Sequence, residues 1–168
     1  IITEFGNPWH TPTLIVDDET WSLKDHRLLD DFIYERVFRT VLARVRSHIL
    51  IHAGVVHWQG KTILLVGDSG YGKTTLTLEL LRRGGQFLSD EIAALNRTDG
   101  QVYAFPTCLR IHPETLTLTN LSHIATNATS WLGKLTVDIE EIYPNALAAN
   151  GPVDYVFIIE DQAHPVHE

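Results

Sequence analysis

The stretch "IHAGVVHWQGKTILLVGDSGYGKTT", residues 51–75, decides the fold. Its second half, Gly67-Asp68-Ser69-Gly70-Tyr71-Gly72-Lys73-Thr74 followed by Thr75, fits the phosphate-loop pattern G-x-x-x-x-G-K-[ST]. Glycines let the backbone curl so that successive N–H groups face one anion. The helix expected from about Lys73 adds its positive end at the same place. Lys73 can neutralise β- and γ-phosphates, and the Thr74 hydroxyl can take one position on Mg²⁺. An apolar strand before the motif and an amphipathic helix after it supply the context that the pattern requires. These residues point to a nucleoside triphosphate with Mg²⁺, ATP by default, because no guanine-reading N-K-x-D motif stands in the chain.

The first half of the stretch is less usual. "ILIHAGVV" reads as a strand, "HWQGK" as a turn and "TILLV" as a returning strand, so the loop hangs on a hairpin. Downstream, "TTLTLELLRR" reads as a helix closed by Gly84-Gly85. "QFLSDE" then reads as a short strand ending in acids. Asp90 and Glu91 come only 17 and 18 residues after Lys73. A helix followed by a strand running back beside the loop strand returns both acids to the phosphate end of the sheet. Asp90 then lies where a nucleophile's proton must go, and the metal falls to Thr74, Glu91 and Asp90. His52, in the strand expected beside the loop strand, is placed to reach the Asp90 carboxylate and to orient it or share its proton. His57, near the turn, reads as structural.

Taken together, the histidine strand, the hairpin, G-D-S-G-x-G-K-[ST], a helix ending at R-G and a strand closing on two acids resemble the core of HPr kinase/phosphorylase and its smaller relatives. That family is distantly related to phosphoenolpyruvate carboxykinases. The resemblance covers roughly residues 50–95, with weaker echoes in "VYAFPTCLRI" and "GPVDYVFIIE". It implies an α/β P-loop domain of HPr kinase/phosphoenolpyruvate carboxykinase type, with a mixed, partly antiparallel sheet flanked by helices. It implies Asp90 as the base that activates a serine hydroxyl, Glu91 in place of a second metal-holding aspartate, His52 as the site histidine, and loop roles for Lys73 and Thr74. It also implies ATP and Mg²⁺ as cofactors, a peptide or protein carrying a serine as acceptor, and a homo-oligomer. The arginine-containing segment that the family links to dephosphorylation is not recognisable. Neither is the amino-terminal domain of full HPr kinases. The compact chain resembles the precursor-peptide kinases, including those of lasso peptides, at least as well.

The remaining sequence fits one domain, residues 1–168, with an N-terminal strand and helix region over 1–48 and a catalytic core over 49–168. "TLIV" reads as a short strand after Pro8 and Pro12. Leu28, Leu29, Phe32, Ile33, Val37, Phe38, Val41, Leu42 and Val45 recur at helical steps and predict a core-packing helix over 22–47. "IAALN", "RTDG" and "QVYAF" predict another hairpin. Pro106 and Pro113 bracket an irregular stretch, residues 116–149 mix helix and loop, and "VDYVFIIE" predicts a late strand. A start at Ile1 and the absence of methionine suggest an incomplete chain.

With 21 acidic and 13 basic residues the formal net charge is −8, and no Lys/Arg cluster stands out, which argues against nucleic acid as partner. No apolar run is long enough to span a bilayer. Cys108 is the single cysteine, which suits a reducing cytosol. Sequons at Asn96, Asn120 and Asn127 read as chance matches. Two other classes remain open: a non-catalytic ATP-binding sensor or scaffold, and an NTPase coupled to transport or assembly, for which "YVFIIED" could supply later acids. A carboxykinase would need basic groups that so short a chain lacks.

Overall fold

The computed structural model describes residues 2–5, 13–16, 19–22, 29–126, 129–131 and 133–160. The chain divides into two compact units, Ile1–Arg46 and Ser47–Glu168. In the first, β1 (Ile2–Phe5), β2 (Thr13–Val16) and β3 (Glu19–Ser22) form an antiparallel sheet in that order. The helix α1 spans Leu29–Arg44. Residues 23–28 of the expected helix, and Asp161 after the late strand, lie outside the described residues. Trp21 packs 6.0 Å from Phe32, and the Arg36 guanidinium carbon sits 3.3 Å from the Trp21 ring centre, a cation–π contact. Val37 and Val41 of α1, expected in the core, are exposed together with Tyr34.

The second unit opens with the hairpin of β4 (His48–Trp58) and β5 (Lys61–Gly67). His57 and Trp58 belong to the strand, so the turn is only Gln59-Gly60, tighter than the pattern suggested. Both residues have positive φ, 51° and 76°, the mirror-image geometry that matches the twist of paired strands. His57 Nδ1 lies 3.1 Å from Thr62 Oγ1 across the hairpin, in keeping with a structural role.

After the loop come α2 (Lys73–Arg82), β6 (Gln86–Ser89), β7 (Ile92–Asn96), β8 (Gln101–Tyr103) and β9 (Leu109–Ile111). The helix stops as predicted: Gly84 N–H donates to Leu81 O and Gly85 N–H to Leu80 O, closing the last turn. The helix α3 (Pro113–Leu118) runs into the segment 116–149 that reads as mixed, which also holds β10 (Thr129–Trp131), β11 (Lys134–Val137) and α4 (Ile139–Ile142). The last strand is β12 (Asn150–Ile159).

Two long strands organise the unit, because each changes neighbours halfway along. The first half of β4 pairs with β7 and its second half with β5 and β6. Likewise β12 pairs first with β8, antiparallel, and then with β5, parallel. One layer therefore runs β12-β5-β4-β6 and the other β12-β8-β7-β4. Their shared interior holds Ala53, Val55, Leu64, Leu88, Ala93 and Val102. Strand alternation sends the next residues the other way. Val56 and Phe87 join Leu78 and Leu81 of α2, Leu109 and Ile111 of β9, and Val137 of β11 in a second core. The result is the expected α/β arrangement with a mixed, partly antiparallel sheet. No helix among the described residues is long and apolar enough to cross a membrane.

One detail of the expected topology is corrected. The strand carrying the acids lies beside β4, not beside the loop strand β5. Since β4 is antiparallel to both, β5 and β6 still run the same way, and their carboxyl ends reach the same end of the sheet.

Candidate functional site

Between β5 and α2 the loop turns through Gly70 and Gly72, at φ 91° and 95°, a conformation that costs an L side chain strain. Gly72 is the N-cap of α2 and offers no side-chain cap, so the first amides of the helix remain available to an anion. Lys73 is nearly buried. Its Nζ donates to Gly67 O at 2.7 Å and to Asp68 O at 3.0 Å, bracing the ammonium across the loop. Tyr71 N–H donates to Asp68 O at 3.3 Å. Ser69, Gly70, Gly72, Thr74 and Thr75 line one cleft with Lys73, whereas Tyr71 faces the adjoining groove beside Leu76 and Leu118.

Asp90, just past β6, enters that cleft from the next element. It is buried, and its Oδ2 accepts the Thr74 hydroxyl proton at 2.8 Å. Its Oδ1 is buried without a hydrogen-bond partner among the described residues. Burial pushes the Asp90 carboxyl up to about 7; the Thr74 hydroxyl pulls it down, Glu91 adds to the rise, and Lys73 and the nearby Thr77 hydroxyl oppose it. A carboxyl so tuned can lose its proton near neutrality and take another.

Close backbone packing makes room for it. A Cβ on Gly54 of β4 would stand 2.9 Å from Thr77 Oγ1 and 3.7 Å from Asp90 Oδ1. Thr77 Oγ1 is itself buried and unpaired. Glycine at this position thus leaves space beside two polar atoms that lack partners.

His52 reaches the cleft but not in the way expected. Its Nδ1 lies 3.0 Å from the Glu91 backbone oxygen and 3.5 Å from the Glu91 carboxylate, rather than on Asp90. Register explains the difference. His52 pairs with Ile92, so the nearest polar groups belong to the turn just before β7. The same Glu91 oxygen accepts from Ala53 N–H at 3.3 Å. His52 and Ala53 therefore fix the backbone that carries Glu91 and leave its half-exposed carboxylate facing the cleft.

The rest of the lining comes from residues that local patterns did not single out: Arg110 on β9, His112 and Thr115 about α3, and Lys134 on β11. The signal was present but short. "LRI" and "KLTV" alternate apolar and polar residues over three and four positions only.

The donor set suits a magnesium–nucleotide. Uncapped amides and Lys73 face an anion on one side, while Thr74, Asp90 and Glu91 offer oxygens for a hard cation beside it. The orphaned Asp90 Oδ1 is the observation that favours a further ligand here.

No protein-family model matches the chain. It is 26% identical over 85 residues to an HPr kinase/phosphorylase of Clostridium kluyveri, a match covering 51% of this chain and 27% of that protein. It is 33% identical over 61 residues to the HPr kinase/phosphorylase of Lachnoclostridium phytofermentans, covering 36% of this chain and 20% of that protein. The matches thus span under a third of these relatives' lengths. Among solved structures, the HPr(Ser) kinase/phosphatase of Coxiella burnetii aligns with a TM-score of 0.46 at 15% identity, over 71% of this chain and 65% of that one, too loose a likeness to carry an argument. The sequence similarities support an HPr kinase-like family for this chain.

Proposed function

We propose that this chain is an ATP- and Mg²⁺-dependent kinase that transfers the γ-phosphoryl group to a serine hydroxyl of a peptide or protein, with residues 49–168 as its catalytic core. The observation that carries the proposal is the Asp90 carboxylate: buried, held up to about 7, and 2.8 Å from the Thr74 hydroxyl of the phosphate loop. The names of the relatives, HPr kinase/phosphorylase, supply the reaction class.

When bound, Mg²⁺·ATP supplies the phosphoryl group and the cation that offsets its charge. The chain's own residues do the rest. Loop amides from Gly67 to Thr75 and the N-terminus of α2 orient the phosphates. Lys73, braced by two carbonyls, holds a fixed positive charge beside the phosphates as charge shifts to the leaving oxygen. Asp90 accepts the proton of the serine hydroxyl. The serine oxygen then bonds to phosphorus as the bond from phosphorus to the ADP oxygen breaks. Thr74 and Glu91 hold the cation's oxygen shell, and His52 fixes the Glu91 backbone. A cytoplasmic setting, with ATP at hand and Cys108 reduced, belongs to the same proposal.

The test is mass spectrometry of candidate serine-containing peptides and HPr-like proteins after incubation with the chain, ATP and Mg²⁺. A gain of one phosphoryl on serine is the expected result. ATP turnover that proceeds identically without any acceptor would instead assign the chain to the NTPases.

A further inference from the structure

Thr74 and Thr77 stand three positions apart in "KTTLTLELL", so their hydroxyls lie on one side of α2, a turn from each other. The first meets Asp90 Oδ2. The second is fully buried and has no hydrogen-bond partner among the described residues. Burying a bare hydroxyl is costly, and a helical threonine ordinarily escapes by donating to a carbonyl one turn back. Thr77 does not. A valine there would join Leu78 and Leu81 in the core and leave no polar atom behind.

Asp90 supplies the complement. Its Oδ1 is an acceptor, equally buried and equally without a partner among the described residues. A Cβ on Gly54 would stand 2.9 Å from Thr77 Oγ1 and 3.7 Å from Asp90 Oδ1, so donor and acceptor border one small space that the glycine keeps open. A carboxyl held by one oxygen turns about its Cβ–Cγ bond, a broad torsion. We propose that Thr77 is a positioning residue for phosphoryl transfer: its hydroxyl donates to Asp90 Oδ1 and, with Thr74 on Oδ2, fixes the plane of the carboxyl in the cleft. This deepens the reading of Asp90 as the base and rests on it. Each carboxylate oxygen has a second lone pair, which the two threonines leave to the serine proton and the cation. Thr77 has no exposed surface and so acts only through Asp90. Lys73, Thr74 and Thr77 then ride one rigid helix, which sets the base in register with the phosphates.

Thr77→Val keeps the shape and deletes the hydroxyl, whereas Thr77→Ser keeps the hydroxyl. Thermal unfolding reads the bond without any acceptor. Thr77→Val should melt roughly 5 °C below the wild type, and the same change in an Asp90→Ala background should cost nothing. A Thr77→Val chain that melts at or above the wild type overturns the proposal, because a buried hydroxyl without a partner is better replaced by a methyl. Transfer to a serine peptide found by the mass-spectrometric screen reads the positioning. In Thr77→Val kcat should fall about ten-fold, with KM for the peptide and Kd for Mg²⁺ and a non-hydrolysable ATP analogue within roughly two-fold of the wild type. Thr77→Ser should recover most of that kcat. An unchanged kcat beside a lowered melting temperature makes the contact structural only and overturns the positioning role. So does an equal fall of kcat in Thr77→Val and Thr77→Ser. A wild-type chain that phosphorylates no acceptor sinks the kinase reading and the positioning role with it, while the melting comparison still reports the bond.

Discussion

Thr74 Oγ1 donates to Asp90 Oδ2 at 2.8 Å, joining the first turn of the loop helix to the segment just past β6. The strands that lead to these residues are not neighbours, since β4 lies between β5 and β6. A cation that takes a lone pair of the Thr74 hydroxyl oxygen leaves that O–H free to go on donating to Asp90, so the cation and the donated bond both favour the charged carboxylate.

Magnesium–nucleotide binding should therefore expel a proton. Asp90, held up to about 7, is largely protonated in the free chain at slightly acid pH, and a cation favours its charged form. Titration in buffers of different ionisation enthalpy should show most of one proton released near pH 6 and almost none near pH 8.5. Absence of that pH-dependent release would mean the bound cation leaves Asp90 untouched.

Asp90→Asn should abolish transfer while nucleotide still binds. Loss of a general base costs typically 10²–10⁴-fold in rate. In the wild-type chain, kcat/KM should rise with pH and level off above about 7, the range in which the Asp90 carboxyl loses its proton. Retained rate in the variant removes Asp90 from the mechanism.

The same substitution should stabilise the fold, but only at higher pH. The folded carboxyl titrates at about 7, well above its ordinary 3.8, so the folded state holds the proton more tightly than the unfolded chain. Stability is thus undiminished below the unfolded value and falls as pH rises from 3.8 to about 7, by on the order of 4 kcal/mol if the whole shift is realised. Asn cannot ionise and escapes that cost. Melting temperatures of wild type and Asp90→Asn should lie close at pH 4 and separate at pH 8 with the variant higher. The reverse order at pH 8 would show that the charge is well solvated.

Gly54→Ala should cost roughly 1–3 kcal/mol of stability, the usual penalty for overpacking. The added methyl would meet the buried Thr77 hydroxyl at 2.9 Å and press toward Asp90. Thr77→Ala in the same background removes the hydroxyl that the added methyl meets, and it should recover part of the loss. Denaturant unfolding of these two variants beside the wild type measures both effects.

Much of the site was legible because it is local. The loop, the hairpin before it and the acids after α2 lie within residues 51–91, and glycine spacing with apolar alternation encodes each piece. What failed depended on pairing. His52 was expected on Asp90, and only the register with Ile92 shows why it meets Glu91 instead. The strand of Phe87 and Leu88 was expected next to the loop strand, a choice that helix length cannot make. Arg110 and Lys134 stand 24 residues apart on strands of three and four residues. No window that short carries a period, so the face they share appears only once β9 and β11 are paired. In the first unit the apolar stripe of α1 predicted a helix correctly and burial of Val37 and Val41 incorrectly, since periodicity reports a shared face and not what covers it.

The division of β4 between two layers makes its length a fixed dimension. His48–His52 is keyed to β7 and Ala53–Trp58 to β5, so one extra residue would turn half the strand inside out, swapping Val55 and Val56 between the two cores or detaching His52 from Glu91. The domain can grow at its turns, but this strand behaves like a ruler on which the distance from histidine to phosphate loop is marked once.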